Sequence, residues 1–391
     1  MTELLRSDRG LLRQLAPQFS IIAIMFTVTG IGLATIPLFI KNDLHLGATA
    51  VGVTSGAQFV AAIALRIKAG RYCDRKGSAR ALMVGLLWTL LGGALCGLAW
   101  MLRGHPITAA GVLLCGRIAL GGGESYVMSG TQTWALALAG TARAAQVIGW
   151  VGTAMFTALA LGAPLGGYLY QIMGFGGIGL VTALIALGML IGSRRLRSPA
   201  IPVRAQPSLR GSIWRLRTET GCMALGGFSY GAMIAFSVVL FIERDWNPNW
   251  AALTAFSIAL VASRLVAGGL PDRIGGAKAA CVSLFVLAGG MIAMAQPGSV
   301  AMGLFGAALS GLGYAVVYPA LTREAVQRVD PAARGTALAL VSASIYLTLG
   351  LGNPLLGMMA DRIGTASVFW FSGAMAIAAA LILVLAGRQK V

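Results

Sequence analysis

Residues 66–80 read RIKAGRYCDRKGSAR, and residues 264–278 read RLVAGGLPDRIGGAK. The two stretches align without a gap at an offset of 198 residues. Arg66, Ala69, Gly70, Asp74, Arg75 and Gly77 recur as Arg264, Ala267, Gly268, Asp272, Arg273 and Gly275. Further along, GAPLGG at 162–167 is echoed by GNPLLG at 352–357, at an offset of 190. The dipeptide AR at 142–143 returns at 333–334. Three echoes in one order imply a chain built twice over, an arrangement that places a site at the interface of two moving halves in many secondary transporters.

These polar loops are set in apolar sequence. Of 391 residues, 57% are hydrophobic and 11% charged, against about 25% charged in a soluble domain. Runs of about 20 apolar residues, each long enough to cross a hydrocarbon core, recur from end to end. Twelve helical spans are expected, at 18–40, 48–68, 81–102, 107–138, 146–170, 176–193, 219–242, 250–270, 279–296, 299–325, 335–359 and 366–387. The fold class is therefore an all-α polytopic membrane protein. The alternating ten-residue strands of a transmembrane barrel are absent. With the repeat, the expected organisation is an N-terminal six-helix bundle (1–193), a basic linker (194–218) and a C-terminal six-helix bundle (219–391).

The net charge of +18 raises nucleic acid as a partner, and its distribution argues against it. Only Lys41, Arg103, Arg244 and Arg362 fall in loops on one side, and Arg117 lies within a span. The other basic residues occupy the tails, the opposite loops or the span ends bordering them. This asymmetry is the positive-inside pattern, and it places both termini in the cytoplasm. The linker RRLRSPAIPVRAQPSLRGSIWRLR holds seven arginines and no acid. Its last part either rests on anionic headgroups as a short helix or is simply solvated. About 23 apolar residues follow the charged N-terminus, too long for a signal-peptide core, so the first span is expected to be retained. The five cysteines are scattered, with no CxxC pair, and read as packing residues. No metal or cofactor motif is present.

AGRYCDRKGSAR between the second and third spans resembles the signature loop of the major facilitator superfamily, and AGGLPDRIGG is its copy in the second half. RIALGGGES resembles the superfamily's fourth-span motif. TALALGAPLGG resembles the fifth-span glycine-proline motif of its proton-driven antiporters, with Ala158 where a glycine is usual and Ala163 between Gly162 and Pro164. LGGGES, TQTW, TAFSIALVASRL, GGLPDRIGG and RGTAL together are similar to a bacterial branch of inner-membrane, arabinose-efflux-like permeases. The resemblance covers essentially the whole chain. It implies the twelve-helix major facilitator fold in two pseudo-symmetric bundles, and transport by alternating access. It also implies that the 70–77 loop latches the cytoplasmic side near the start of the eleventh span, around Arg334 and Gly335.

The residues allow physical readings of their own. Gly70 and Gly77 permit tight turns, and Asp74 can accept hydrogen bonds at a neighbouring helix N-terminus. Arg75 and Arg80 can pair with acids or lipid phosphates, while Lys68, Arg71 and Lys76 read as topogenic charge. Gly268, Asp272, Arg273 and Gly275 repeat the gate in the second half. Gly162 and Gly166 form a small-xxx-small pair, and Pro164 bends the helix. With Gly167 they form either a pliable seam between the halves or ordinary helix packing.

Arg117 and Glu124 stand seven residues apart inside the fourth span. Either charge costs roughly 2.5–3.5 kcal/mol at a bilayer centre. Seven residues are two helical turns, so both face nearly one side about 10 Å apart. Gly121, Gly122 and Gly123 are expected to loosen the helix and expose carbonyls. Glu124 is the only acid expected deep in a span. Burial opposes a charged carboxylate and a nearby cation favours it, so a group held between them can exchange protons. The readings are proton coupling, direct binding of a cationic solute group, or a structural buried pair. At the offset of 190, Tyr314 stands opposite Glu124 and Ala307 opposite Arg117. Tyr230, Tyr314, Tyr318 and Tyr346 are candidates to line the substrate site, or else interhelical hydrogen-bonding residues.

The function read from the sequence is proton-coupled efflux of a small organic solute across the inner membrane by a monomer, with protons, solute and bilayer as partners. An importer or uniporter on the same fold is the alternative. An enzyme is disfavoured: there is no HExxH, no nucleophile–base arrangement and no phosphate loop. A sensor on the transporter fold would be separated by a flux assay.

Overall fold

The computed structural model describes residues 2–139, 144–193, 214–296, 298–330 and 333–388. Every regular element among them is helical. The helices are α1 (Thr2–Leu38), α2 (Ala48–Lys76), α3 (Ser78–Met101), α4 (Pro106–Ala139) and α5 (Ala144–Ser193). They continue with α6 (Arg217–Glu243), α7 (Ala251–Ala267), α8 (Leu270–Ile274), α9 (Gly276–Ala295) and α10 (Val300–Gln327). The last are α11 (Arg334–Leu347), α12 (Asn353–Ile363) and α13 (Thr365–Arg388). Wider π-helical turns at Phe39–Asp43 and Thr348–Gly352 follow α1 and join α11 to α12.

Among the described residues, ten stretches are long and apolar enough to cross a membrane. One of them contains Gly174, whose backbone (φ 64, ψ −174) leaves the helix and divides α5 into two spans. α7, at 17 residues, falls just under that length. Counting both gives the twelve expected spans. The charged N-terminal stretch is a surprise, since the helix begins at Thr2 and runs unbroken into the first span. The linker falls mainly on residues 194–213, outside the described residues.

The chain packs as two compact units, Met1–Gly32 with Ala61–Arg204, and Leu33–Val60 with Ala205–Val391. The division differs from a cut at the linker, because the end of α1, the start of α2 and the loop joining them belong with the second unit. The cause is local. The α2 glycines Gly52 and Gly56 lie directly against the carbonyls of Asn353 and Gly350, with no space for a methyl group.

In the first unit the core is a glycine-mediated seam between α3 and α4. A methyl group at Gly85 would stand 2.7 Å from the Val127 amide nitrogen, and one at Gly92 would stand 2.6 Å from the Leu120 side chain. In the second unit Gly313 and Gly306 bring α10 equally close to α9. Lipid supplies no hydrophobic drive between helices, so such close backbone approach carries the association.

Candidate functional site

Arg117 and Glu124 are each 1% exposed within α4. The electrostatic partners of Arg117 are the Cys96 thiol on α3 and Glu124. Its Nε and Nη2 donors have no hydrogen-bond acceptor among the described residues. Beside Glu124, the Ser125 hydroxyl donates to the Ala62 carbonyl of α2. The three preceding glycines correct an expectation. α4 is continuous through all three, and Gly122 and Gly123 serve close packing rather than a loosened helix. A methyl group at Gly123 would stand 2.5 Å from Thr89 Oγ1, and one at Gly122 would stand 3.1 Å from Leu65 and 3.3 Å from Trp88. The carboxyl and the guanidinium are thus held by packed backbone. Chemically, the pair sets a carboxyl and a guanidinium on nearly one face of a buried helix segment.

The second unit brings three of the four tyrosines together. Tyr230 on α6 and Tyr314 on α10 stack with ring centroids 4.7 Å apart and planes 3° from parallel. Phe256 of α7 packs against both, at 6.0 and 6.4 Å. Tyr318, one turn along α10, shares a hydrogen bond of 2.8 Å with the Ser342 hydroxyl of α11. The Tyr314 hydroxyl is buried without a hydrogen-bond partner among the described residues. Tyr346 lies apart from this group, edge-on to Phe59 at 5.9 Å.

Arg264 of α7 joins the cluster, with Tyr314, Tyr230 and Tyr318 as its electrostatic neighbours. Sequence reasoning treated Arg264 only as the counterpart of Arg66 in the repeat. The available signal was its place in SIALVASRLVAG, an apolar run that forms α7 up to Ala267. Arg264 stands in the last turn of that helix, partly buried, where a guanidinium can reach the tyrosines from the span's end.

Of the loop glycines, two form the expected turn, whereas Gly70 lies within continuous α2 and Gly268 is in the helical region (φ −58, ψ −28), because the backbone stays helical at the first glycine of each motif. Gly77 (φ 89, ψ 156) ends α2 and opens α3, and Gly275 (φ 89, ψ 147) does the same before α9. Such a backbone favours glycine. Asp74, Arg75 and Arg80 are exposed at this turn, as are Asp272, Arg273 and Arg334 at theirs. Asp272 accepts from Arg323 Nε at 3.0 Å. Gly70 has open space around it, while Gly268 is close only to the Arg264 carbonyl one turn back.

On α5, a methyl group at Gly162 would stand 2.5 Å from the Thr27 carbonyl, and one at Gly166 would stand 2.8 Å from Ile31 Cα. Pro164 is inside the helix and Gly167 is buried. The seam these glycines form is with α1, inside the first unit, rather than one between halves.

A second buried acid was missed. Glu219 is 1% exposed in the first turn of α6, and it pairs with Arg328 at 2.8 Å. It is the first residue of the seventh expected span, directly after the arginine-rich linker, and a position at a span end gives no sign of burial.

Duplicated sequence motifs, membrane-length helices and repeated loop geometry define a polytopic helical membrane protein. The sequence profile described as Major Facilitator Superfamily matches residues 19–248 and 220–390. The chain belongs to that superfamily. It is 36% identical over 380 residues to an uncharacterised MFS-type transporter of Salmonella typhimurium, covering 95% of this chain and 96% of that one. It is 34% identical over 379 residues to an uncharacterised MFS-type transporter of Burkholderia mallei, covering 96% and 93%. Among solved structures, a mutant of the nucleoside transporter NupG superposes with a TM-score of 0.76 at 15% identity, covering 95% and 99%. That identity shows a shared fold.

Proposed function

We propose that this membrane transporter is a proton-coupled antiporter that exports a small organic solute across the bacterial inner membrane, with both termini in the cytoplasm. The observation that carries the reading is Glu124, 1% exposed inside a membrane span on the same helix face as Arg117. Intramembrane ions are costly, and function is the ordinary reason they are kept. In this account Glu124 binds a proton on one side and releases it on the other, and Arg117 keeps the deprotonated carboxylate tolerable. The fifth-span motif supports antiport. The DRxG loops around Asp74 and Asp272 act as cytoplasmic gates, and the positive-inside charge distribution supports the orientation.

The tyrosine cluster supports a solute-binding role for Tyr230, Tyr314 and Tyr318. Arg264 adds a permanent cation to it, so a solute bearing an anionic group fits best. Stacked aromatic faces suit a flat or ring-bearing body. The test is a solute panel in reconstituted vesicles with an imposed pH gradient. Solute-dependent proton movement is expected, inward as solute moves outward. Solute flux that leaves the proton gradient untouched would reduce the protein to a uniporter, and co-directional movement would make it a symporter.

A further inference from the structure

The stretch GMMADRIG at 357–364 repeats, for a third time, a glycine followed four residues later by Asp-Arg and then by a second glycine. The other copies are 70–77 and 268–275. The closing glycine is again in the left-handed region, Gly364 at φ 87 and ψ 153, within a few degrees of Gly77 and Gly275. What the third aspartate does is visible. Asp361 Oδ1 accepts from the Ala48 amide at 2.6 Å, and Oδ2 accepts from the Thr49 amide at 2.8 Å. These are the first two amides of α2, donors that no turn of the helix itself can satisfy. The carboxylate also sits at the positive end of the helix dipole.

We infer that Asp361 is a gating residue, whose carboxylate clamps the N-terminus of α2 in one state of the transport cycle and lets it go in the other. The inference rests on the alternating-access reading above and adds to it a residue and an end of the molecule. α2 has 29 residues, so its ends lie about 43 Å apart at 1.5 Å per residue. Asp74, the first copy of the aspartate, sits at the C-terminal end. One helix therefore carries the motif's aspartate at its tail and receives another copy's at its head.

Three features suit this contact to opening and closing. The first is a surface of backbone against backbone. A methyl group at Gly357 would stand 2.6 Å from the Ala48 carbonyl, and one at Gly56 would stand 2.6 Å from the Gly350 carbonyl. Few interlocking side chains have to be withdrawn for such a seam to part. The second is that Asp361 is exposed, so on release its charge returns to water instead of being stranded in an apolar interior. The third is that neighbouring charges converge on the same place. Lys41, after α1, pairs with Glu243 at 3.6 Å, and Glu243 accepts from Thr365 Oγ1 at 2.8 Å. Lys41 is also an electrostatic neighbour of Asp361. The ends of α1, α6 and α12 and the start of α13 thus meet around the head of α2. Glu324, which caps the Ala277 amide of α9 at 3.0 Å, belongs to no DRxG copy.

The test is amide hydrogen exchange on the full-length protein in lipid nanodiscs, for wild type, Asp361→Asn and Gly47→Ala. The Gly47 variant keeps the aspartate but would place a methyl group 2.7 Å from its Oδ2, so it disturbs the clamp from the other side. In both variants exchange at Ala48 and Thr49 should rise about tenfold, the scale of losing charge-assisted hydrogen bonds. Exchange across 70–80, at the far end of α2, should fall as the population moves to the opposite state. Faster exchange at 48–49 with 70–80 unchanged would overturn the inference and leave Asp361 a permanent helix cap, as would no change at either end. Reciprocal exchange in a protein that moves no protons would keep the gate and sink the antiport reading. Proton flux without reciprocal exchange would do the opposite.

Discussion

Glu124 and Arg117 combine near-complete burial with a shared helix face, and close helix packing surrounds them. Glycines at 85, 92, 116 and 123 let α3 and α4 approach until side chains have no freedom to rearrange. The proton site proposed above needs that rigidity, because a carboxyl free to swing would find water and lose its coupling to the cycle. In the second unit the Tyr314 hydroxyl lacks a hydrogen-bond partner among the described residues. An orphan buried hydroxyl costs about 1–3 kcal/mol. Tyr314→Phe is therefore expected to leave the melting temperature unchanged or slightly raised, while weakening apparent solute affinity several-fold in the vesicle assay. A lower melting temperature would mean the hydroxyl stabilises the fold. Arg264→Gln should lower apparent affinity for anionic members of a solute panel and spare neutral ones. An equal loss for both would assign Arg264 to packing.

At the scale of the helices, glycine positions that look alike in sequence separate into two kinds. A methyl group at Gly123 meets Thr89 Oγ1 at 2.5 Å and the Gly85 carbonyl at 2.9 Å, whereas one at Gly70 meets nothing within 4 Å. Gly123→Ala is expected to destabilise by about 1–3 kcal/mol through overpacking, seen as a lower melting temperature in detergent. Gly70→Ala should be neutral or stabilising by up to about 1 kcal/mol, since alanine is the better helix former. A loss of transport with that variant would then be a gate effect and not a folding defect. The helices themselves were legible because membrane spans announce their length. The break at Gly174 fell in the gap left between spans five and six. What the sequence hid was which glycines face backbone, because small residues line lipid-facing and helix-facing surfaces alike.

Across the whole molecule, the duplication and the charge asymmetry were readable because both are properties of long stretches. Asp361 and Arg264 were not. Their significance depends on partners 313 positions away in the one case and on three tyrosines from two helices in the other. The repeat nevertheless contained a pointer, since DRIG follows the very segment, GNPLLG, that was matched to the first half. Positive-inside orientation predicts that an alkaline phosphatase fusion at the C-terminus is inactive and a green fluorescent protein fusion bright. The reverse pattern would put the basic loops outside.

The coupling role of Glu124 is tested most directly by comparing two activities of Glu124→Gln with wild type in the same vesicles. One is solute-dependent proton movement under an imposed pH gradient, and the other is solute exchange with no gradient. The account predicts that exchange persists, because the glutamine mimics the protonated carboxyl, while proton movement disappears. Proton movement at the wild-type rate in Glu124→Gln would contradict it and return Glu124 to a structural role in the packing of α4.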